Sequence, residues 1–257
     1  MKQKLKKGKV LFGPWCVIPS SPLINIIANT GVDFVIIDME HSVISFETAE
    51  EMVRAAHSEG INTIIRQGTI NEESILKSLD MGSDGILIAH VENAKDAQEV
   101  VALSKYYPKG RRGFSPYTRA GKYSGGKNIT DHARNQNEDT IVGVILEGSK
   151  GIENIDKILE VEDIDLVYIG AYDLSQALRI PGDVNNSIIK KYMEECVVKI
   201  KQKGIAPGGF VAKNKEDMCW MVDIGMQFIT YLPDCTAIHG VFTSAVDDFK
   251  SVLKRKG

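Results

Sequence analysis

The sequence has few of the features that are typical of secreted, zinc-stabilised or nucleic-acid-binding proteins. Its 257 residues include only four cysteines, and no two of them form a Cys-x-x-Cys pair. Neither a disulfide framework nor a zinc clip is therefore expected. The chain has 31 lysines and arginines and 34 aspartates and glutamates, which gives a net charge of −3. This balance does not indicate the basic surface that binds nucleic acid. No run approaches the roughly 18 apolar residues that cross a bilayer, so neither nucleic acid nor a membrane is an expected partner.

Composition favours an ordinary globular chain in a reducing compartment. Hydrophobic residues make up 43% and charged residues 25%, which is enough to bury a full core. The lysine-rich start at 2–9 is like the n-region of a signal peptide, but Gly13 and Pro14 interrupt the apolar stretch that follows. We therefore expect a cytoplasmic protein with reduced cysteines.

Short apolar runs without polar alternation recur along the chain, which is typical of parallel strands buried on both faces. Segments with helical spacing lie between them. The predicted strands are 10–12, 34–37, 63–65, 85–89, 141–146, 166–169, 208–211 and 228–231. The predicted helices are 22–29, 46–58, 72–79, 94–106, 151–159, 187–202, 215–222 and 238–253.

This alternation leaves two architectures, an open doubly wound sheet or a closed barrel. Eight units in about 250 residues fit the barrel, so we predict an α/β fold with a single TIM (β/α)8 barrel over residues 1–257. The long stretch at 107–137 lacks periodicity. We interpret it as a βα-loop insertion near the site or as a partner contact.

Polar residues follow the apolar runs at the strand ends where barrel active sites collect. Glu147 closes the fifth run and Asp173 follows the sixth, so their carboxylates would converge at the mouth. Two oxygen ligands with free positions suit a hard ion such as Mg²⁺ or Mn²⁺. The alternative is that each carboxylate only caps the following helix.

Two further residues at strand ends are candidates for chemistry. His41 follows Asp38 and Glu40, and its imidazole could act as a general base or be an ordinary surface histidine. Arg66 ends the third run and could bind an enolate oxygen, pair with a carboxylate, or do both.

Two motif matches are rejected. Residues 121–127 read G-x-x-x-x-G-K, but Asn128 stands where a P-loop requires Ser or Thr, and no strand precedes Gly121. Cys235 and His239 have i, i+4 spacing, but two groups do not make a zinc site, and core packing is the better prediction.

The chain resembles the HpcH/HpaI aldolase family, which are metal-dependent (class II) pyruvate aldolases, over nearly its whole length. Asp-x-Glu-His and Asp-Leu-Ser in this order carry most of the specificity. The matching pieces are Gly13-Pro14-Trp15, the segment from Gly31 to His41, Arg66, Leu79-Asp80-Met81-Gly82, the segment from Tyr107 to Gly113, Glu147, and the segment from Gly170 to Ser175.

The resemblance implies a carbon–carbon lyase with defined roles at the site. Glu147 and Asp173 would hold the divalent ion, Mg²⁺ or Mn²⁺ with Co²⁺ also compatible, which chelates pyruvate. His41, oriented by Asp80, would be the acid/base. Arg66 would bind the keto or enolate oxygen with Asp38 close by, and the backbone of Gly170 and Ala171 would receive the pyruvate carboxylate.

The resemblance also implies partners and an assembly. The expected partners are a small 2-oxo acid, pyruvate or oxaloacetate, and an aldehyde. A homo-oligomer is expected, a hexamer or trimer of dimers, with the helix at 238–253 packed on a neighbouring subunit.

Several positions depart from the family pattern. Ile145 replaces a glutamine, Ala171-Tyr172 replaces a Pro-Ala step, and His90 stands at the end of the fourth strand. The leading prediction is cleavage or formation of a 4-hydroxy-2-oxo acid through an enolate. A related condensing enzyme, for example one like a citrate synthase, and a barrel that binds 2-oxo acids without turnover are the alternatives.

Overall fold

Eight parallel strands close into a barrel in the computed structural model, which describes residues 1–124 and 129–254. Strands that are consecutive in sequence are neighbours in the sheet, and the first pairs with the last. This arrangement confirms the predicted TIM (β/α)8 barrel. The strands are β1 (Leu11–Cys16), β2 (Phe34–Asp38), β3 (Asn62–Gln67), β4 (Gly85–Ile88), β5 (Ile141–Leu146), β6 (Leu166–Ile169), β7 (Ala206–Ala212) and β8 (Phe228–Tyr231).

Helices surround the strands, and most of the longer ones begin at a serine or asparagine whose side chain accepts from a first-turn N–H, as at Ser45 and Asn71. None of the helices in the described part of the chain is long and apolar enough to cross a bilayer. They are α1 (Lys2–Lys6), α2 (Ser21–Ala28), α3 (Phe46–Ser58), α4 (Glu72–Asp80), α5 (Ala94–Ser104), α6 (Ile129–Asp139), α7 (Ser149–Glu153), α8 (Ile155–Ile158), α9 (Ala171–Ala177), α10 (Ser187–Gln202), α11 (Lys215–Asp223) and α12 (Asp234–Lys254).

Aromatic side chains fill the barrel at the N-terminal ends of the strands. Phe34 and Phe228, the first residues of β2 and β8, stack with their ring centroids 4.0 Å apart. Gly13 is required beside them, because a Cβ there would lie 2.0 Å from the backbone oxygen of Phe34. Since this end is packed, a cavity can open only towards the C-terminal strand ends.

A β-bulge changes the direction of the chain at the end of β7. Its register against β8 shifts between Gly209 and Val211. Gly209 has φ of 141°, and a Cβ there would come 2.7 Å from the backbone oxygen of Ile169, so only glycine fits. A bulge of this kind changes the direction of the residues after it, and here these are Val211 and Lys213 at the barrel mouth.

The segment 107–137 is not a βα loop, and the prediction of an insertion near the site was wrong. It joins α5 to β5, so it lies at the N-terminal ends of the strands, the end opposite the mouth. It also contains a 3-10 turn at Lys122–Ser124 and the start of α6. The interpretation as a partner contact stays a prediction. The P-loop-like match at 121–127 lies partly outside the described residues, which omit 125–128.

Other boundaries also differ from the predictions. The predicted helix at 151–159 is two short helices, α7 and α8, while α1, α6 and α9 were not predicted. The prediction that Cys235 and His239 pack in the core was wrong, because both are exposed on α12. An apolar stripe on the same helix also faces outwards in the single chain.

Two lysines are buried at the N-terminal end of the barrel. Lys2 forms an ion pair with Asp165 at 2.8 Å. The Lys105 Nζ donates to the backbone oxygens of Asn137 and Thr140, each at 2.8 Å. Burial, and then the neighbouring Lys2 ammonium, lower the pKa of Lys105 to about 7. The fold therefore releases the Lys105 proton at a pH where the unfolded chain keeps it.

This shift predicts how stability depends on pH. Above about pH 7 the folded protein has lost the Lys105 proton while the unfolded chain holds it up to pH ~10. The free energy of unfolding should therefore rise with pH across this window, by at most about 1.4 kcal/mol per pH unit. Urea unfolding at pH 6.5, 8 and 9 should show this rise in the native chain and a flatter profile in Lys105→Met. Lys95→Met, on the exposed side of α5, is the control, and parallel profiles for all three proteins would contradict the assignment.

Candidate active site

A cavity of about 760 Å³ opens at the C-terminal ends of the strands. It brings together every predicted site residue except Asp80. The predicted residues that line it are Asp38, His41, Arg66, Glu147, Gly170, Ala171 and Asp173. The walls that sequence reasoning did not assign are Trp15, Val17, Ile145, Tyr168, Tyr172, Val211, Lys213, Leu232, Pro233 and Thr236. Charged groups and an apolar wall thus share one cavity, which is typical of a small-molecule site.

Arg66 and Asp38 form a buried ion pair across the floor of this cavity. They are register partners on β3 and β2, and the Arg66 Nε donates to Asp38 Oδ1 at 2.9 Å while Nη2 donates to Oδ2. The guanidinium carbon also lies 4.8 Å from the ring centroid of Trp15. Burial would raise the pKa of Asp38, but Arg66 and the backbone N–H groups of Glu40 and His41 hold it below its usual value. Asp38 is therefore an ionised anchor for Arg66.

Glu40 and His90 extend this pair into a chain of charges. Arg66 Nη1 lies 2.9 Å from Glu40 Oε2, and His90 Nε2 lies 3.0 Å from Glu40 Oε1. The other ring nitrogen of His90 is 2.7 Å from Glu147 Oε1, which also accepts from the His90 backbone N–H at 2.9 Å. His90 holds this position with φ of 58°, which is uncommon for a residue other than glycine. It links the ends of β2 and β5 through β4.

Glu147 and Asp173 provide two carboxylates on neighbouring strands. Asp173 lies in the first turn of α9, directly after β6, and is exposed, whereas Glu147 is buried at the end of β5. Burial is the main cause that raises the pKa of Glu147, and the charges of Asp173 and Glu40 add to it against the opposing effect of His90. Gly170 packs against Glu147, since a Cβ there would lie 2.7 Å from the Glu147 Cβ.

This donor set fits a divalent cation that also binds substrate. Hard divalent ions prefer carboxylate oxygens and take six or more ligands. Within residues 1–124 and 129–254, no group of three or more His, Cys, Asp and Glu side chains is arranged to hold a metal ion. Glu147 and Asp173 would therefore leave most coordination positions to water and substrate oxygens, and burial of one carboxylate beside another favours a cation between them.

His41 lies at the rim of the cavity in the loop after β2. Its side chain is 70% exposed, and the nearest carboxylate oxygen is Glu40 Oε2 at 3.8 Å. Its backbone is fixed, because the His41 N–H donates to Asp38 Oδ1 at 3.1 Å. Among the residues that the structure describes, no hydrogen-bond partner fixes the tautomer of this imidazole.

Asp80 lies far from His41 in this chain. It is the last residue of α4, close to the start of β4 and so at the opposite end of the barrel. Its carboxylate pairs with the buried Arg112 guanidinium at 2.6 Å, and this guanidinium lies over the ring of Tyr106. An Asp80 that orients His41 would have to belong to a neighbouring copy, which links this prediction to that of a homo-oligomer.

Sequence reasoning assigned no role to three residues in or beside the cavity. Glu40 stands beside His41 in the sequence and His90 follows the fourth strand, and both bridge the predicted site residues. Their positions at the ends of β2 and β4 were the available signal. Lys213 gave no signal, because it follows a glycine-rich strand whose bulge decides where the residue points.

Comparisons with known proteins identify the family to which the chain belongs. The sequence profile of the HpcH/HpaI aldolase/citrate lyase family matches residues 12–234. The chain is 29% identical over 238 residues to the hydroxypyruvate/pyruvate aldolase of Sagittula stellata, covering 93% of this chain and 92% of that protein. It is 30% identical over 252 residues to the 2-keto-3-deoxy-L-rhamnonate aldolase of Salmonella paratyphi B, covering 98% and 93%.

The solved structures include similar barrels of more than one activity. The crystal structure of citrate synthase SbnG superposes with a TM-score of 0.88 at 29% identity, covering 98% of this chain and 97% of that one. The profile match spans most of the barrel, from the second residue of β1 to the first residue of α12. The chain therefore belongs to the HpcH/HpaI aldolase/citrate lyase family of enzymes.

Proposed function

We propose that this protein is a metal-dependent aldolase that cleaves a 4-hydroxy-2-oxo acid to pyruvate and an aldehyde, or forms it from them. The observation that supports this most is the meeting of Glu147, Asp173 and Arg66 in one cavity. Two relatives at about the same identity are named aldolases of oxo acids, in agreement with the same chemistry. In the cleavage direction the bond between C3 and C4 breaks, the 4-hydroxyl loses its proton, and C3 of the resulting enolate takes one up.

The metal is proposed to be Mg²⁺ or Mn²⁺, with Co²⁺ also compatible, held by Glu147 and Asp173. When bound, it would act as a Lewis acid that polarises the keto group and so makes the adjacent carbon acidic. Carboxylate oxygens suit the harder of these ions best. Glu147 is fixed for this role by the His90 N–H and by contact with Gly170.

The protein residues would act on the substrate as follows. Arg66 keeps N–H groups beyond those that contact Asp38 and Glu40, and these can donate to the developing enolate oxygen. His41, at the rim, would take the proton from the 4-hydroxyl and return it in the reverse direction. Ala171 begins α9, so its N–H lacks an intrahelical acceptor and can bind the pyruvate carboxylate beside Gly170.

A condensing enzyme that uses the same enolate is the second candidate. Ile145 places an apolar side chain on the cavity wall, where the family pattern has a glutamine. The similarity to citrate synthase SbnG supports this second candidate, because a citrate synthase forms a carbon–carbon bond. Product analysis with pyruvate or oxaloacetate and a panel of acceptors separates the two candidates.

A homo-oligomer, a hexamer or trimer of dimers, is proposed as the working assembly. An apolar stripe on α12 is exposed in the single chain, and its residues at i, i+3 and i+4 spacing are Ile238, Val241, Phe242, Val246, Phe249, Val252 and Leu253. It continues into an apolar groove that α12 forms with α2. Monomers rarely leave a patch of this kind uncovered, so a second copy of the chain is the proposed occupant.

Pyruvate proton exchange tests the proposed function without knowledge of the aldehyde. With Mg²⁺ or Mn²⁺ in deuterated water, the protein should exchange the methyl protons of pyruvate, and EDTA should abolish the exchange. Glu147→Gln should slow it on the order of 100-fold or more, as followed by proton NMR. Glu92→Gln, an exposed glutamate outside the cavity, is the control. Exchange that is insensitive to EDTA would contradict the metal role, and no exchange by the native protein would favour the barrel that only binds 2-oxo acids.

The packing of Gly170 against Glu147 gives a second prediction. Gly170→Ala would place a Cβ 2.7 Å from the Glu147 Cβ and displace that carboxylate. Mn²⁺ affinity, measured by titration calorimetry, should fall about 10-fold or more. Gly148→Ala is the matched control, because its Cβ would enter open space. Equal Mn²⁺ affinity in both variants would show that Glu147 is not a ligand.

The proposed assembly is tested on α12. Phe249→Glu places a charge in the apolar stripe and should shift the protein to a smaller species in light scattering after gel filtration. Ser251→Glu adds the same charge on the other side of the helix and should leave the mass unchanged, because both positions are exposed in one chain. A native protein that is already monomeric would refute the proposal.

A further inference from the structure

The cavity is lined by one lysine side chain that has no role in the proposed reaction. Lys213 follows the bulged end of β7 and lines the cavity. Its Nζ lies 5.8 Å from the ring centroid of Tyr172, and its backbone N–H donates to Asp217 Oδ2 at 3.0 Å. Among the described residues, none forms an ion pair with Lys213, whereas Arg66 is engaged by two carboxylates. The backbone of Lys213 is thus held, while its ammonium has no carboxylate partner among the described residues.

The depth of the cavity separates Lys213 from the pyruvate end. Arg66 and Glu147 are 9% and 8% exposed at the floor. Tyr172 is 49% exposed, and Lys213 is also exposed, so this pair lies at the mouth. Pyruvate would occupy the floor, and the second substrate has to approach it from the mouth. A charged side chain at the mouth therefore contacts the second substrate, which is the acceptor of the enolate.

The surroundings of Lys213 indicate what kind of acceptor it meets. The adjoining wall is apolar and consists of Val211, Leu232 and Pro233. A neutral aldehyde needs only such a wall, whereas an ammonium beside it adds affinity only for an anion. The cation–π contact with Tyr172, at 5.8 Å from the ring centroid, favours positions of the ammonium on this side of the mouth.

We propose that Lys213 binds a carboxylate on the acceptor, so that the second substrate is an aldehyde that also carries an acid group. This inference rests on the proposed aldolase function and narrows its substrate class. The carbonyl carbon of the acceptor would point towards the floor, and its carboxylate would remain at the mouth between Lys213 and solvent. Lys213 acts as a specificity residue here and takes no part in bond making.

Matched acceptors test the assignment. Glyoxylate and 4-oxobutanoate are each compared with the corresponding methyl ester, which keeps the aldehyde and removes the charge. The native enzyme should prefer the carboxylate in at least one pair. In Lys213→Met the ratio of kcat/KM for carboxylate over ester should fall about 10-fold or more, and in Lys213→Arg most of it should return. Lys215→Met, a neighbouring exposed lysine that does not line the cavity, should keep the native ratio.

Three results would overturn the proposal. The first is an unchanged ratio in Lys213→Met. The second is a fall in pyruvate proton exchange by Lys213→Met that is as large as the fall in the kcat/KM ratio. Because proton exchange needs no aldehyde, this result would place Lys213 at the pyruvate end. The third is pyruvate trapped on Lys213 by borohydride, which would make it a Schiff-base residue.

Binding measurements keep the proposal separate from the proposed function. If the native protein does not exchange pyruvate protons, the aldolase proposal fails, but the role of Lys213 can still be measured. Titration calorimetry with 4-oxobutanoate and its methyl ester should then show tighter binding of the acid, lost in Lys213→Met and kept in Lys215→Met. Equal binding of acid and ester by the native protein would refute the role of Lys213.

Discussion

The buried ion pair between Arg66 and Asp38 is the constraint on which the mouth of the barrel depends. The two residues are register partners on adjacent strands, so a slip of one residue between β2 and β3 would remove every contact between them. Loss of one partner from a buried pair costs about 3–5 kcal/mol, because the other charge stays uncompensated. Asp38 also accepts from the N–H groups of Glu40 and His41, so the same carboxylate fixes the loop that carries the proposed acid/base.

The chain of charges that begins at this pair explains how separate strands act as one site. Arg66 contacts Glu40, Glu40 contacts His90, and His90 contacts Glu147. Each link joins the ends of different strands, from β2 to β5, so no loop has to hold a charged group alone. The left-handed backbone of His90 is compatible with this role, because strain at a single residue persists only where several contacts hold it. Precise placement of Glu147 thus follows from a network that starts two strands away.

The sequence was sufficient for the barrel and for most of the predicted residues that line the cavity, for one physical reason. Buried parallel strands appear as unbroken apolar runs, and the polar residue after such a run must lie at the C-terminal end of the barrel, as Glu147 does. Features that depend on long-range contacts could not be read in this way. Asp80 ends a helix, and only the topology shows that this places it at the opposite end from His41. The direction of Lys213 is set by the bulge at Gly209. The side of segment 107–137, in contrast, could have been predicted, because the segment follows a predicted helix and precedes a predicted strand.

The two ends of the cavity are under different constraints, and this bears on how one barrel serves several reactions. At the floor, Arg66 and Glu147 are tied to other charged groups, so a substitution at one disturbs several others. At the mouth, Tyr172 and Lys213 are exposed, and Lys213 has only its backbone tied to Asp217 and its side chain over one ring. Substitutions there cost little stability, since exposed side chains with few contacts contribute little to it. The proposed enolate chemistry can therefore stay fixed while the mouth changes, and the proposed acceptor can differ between barrels of the same fold.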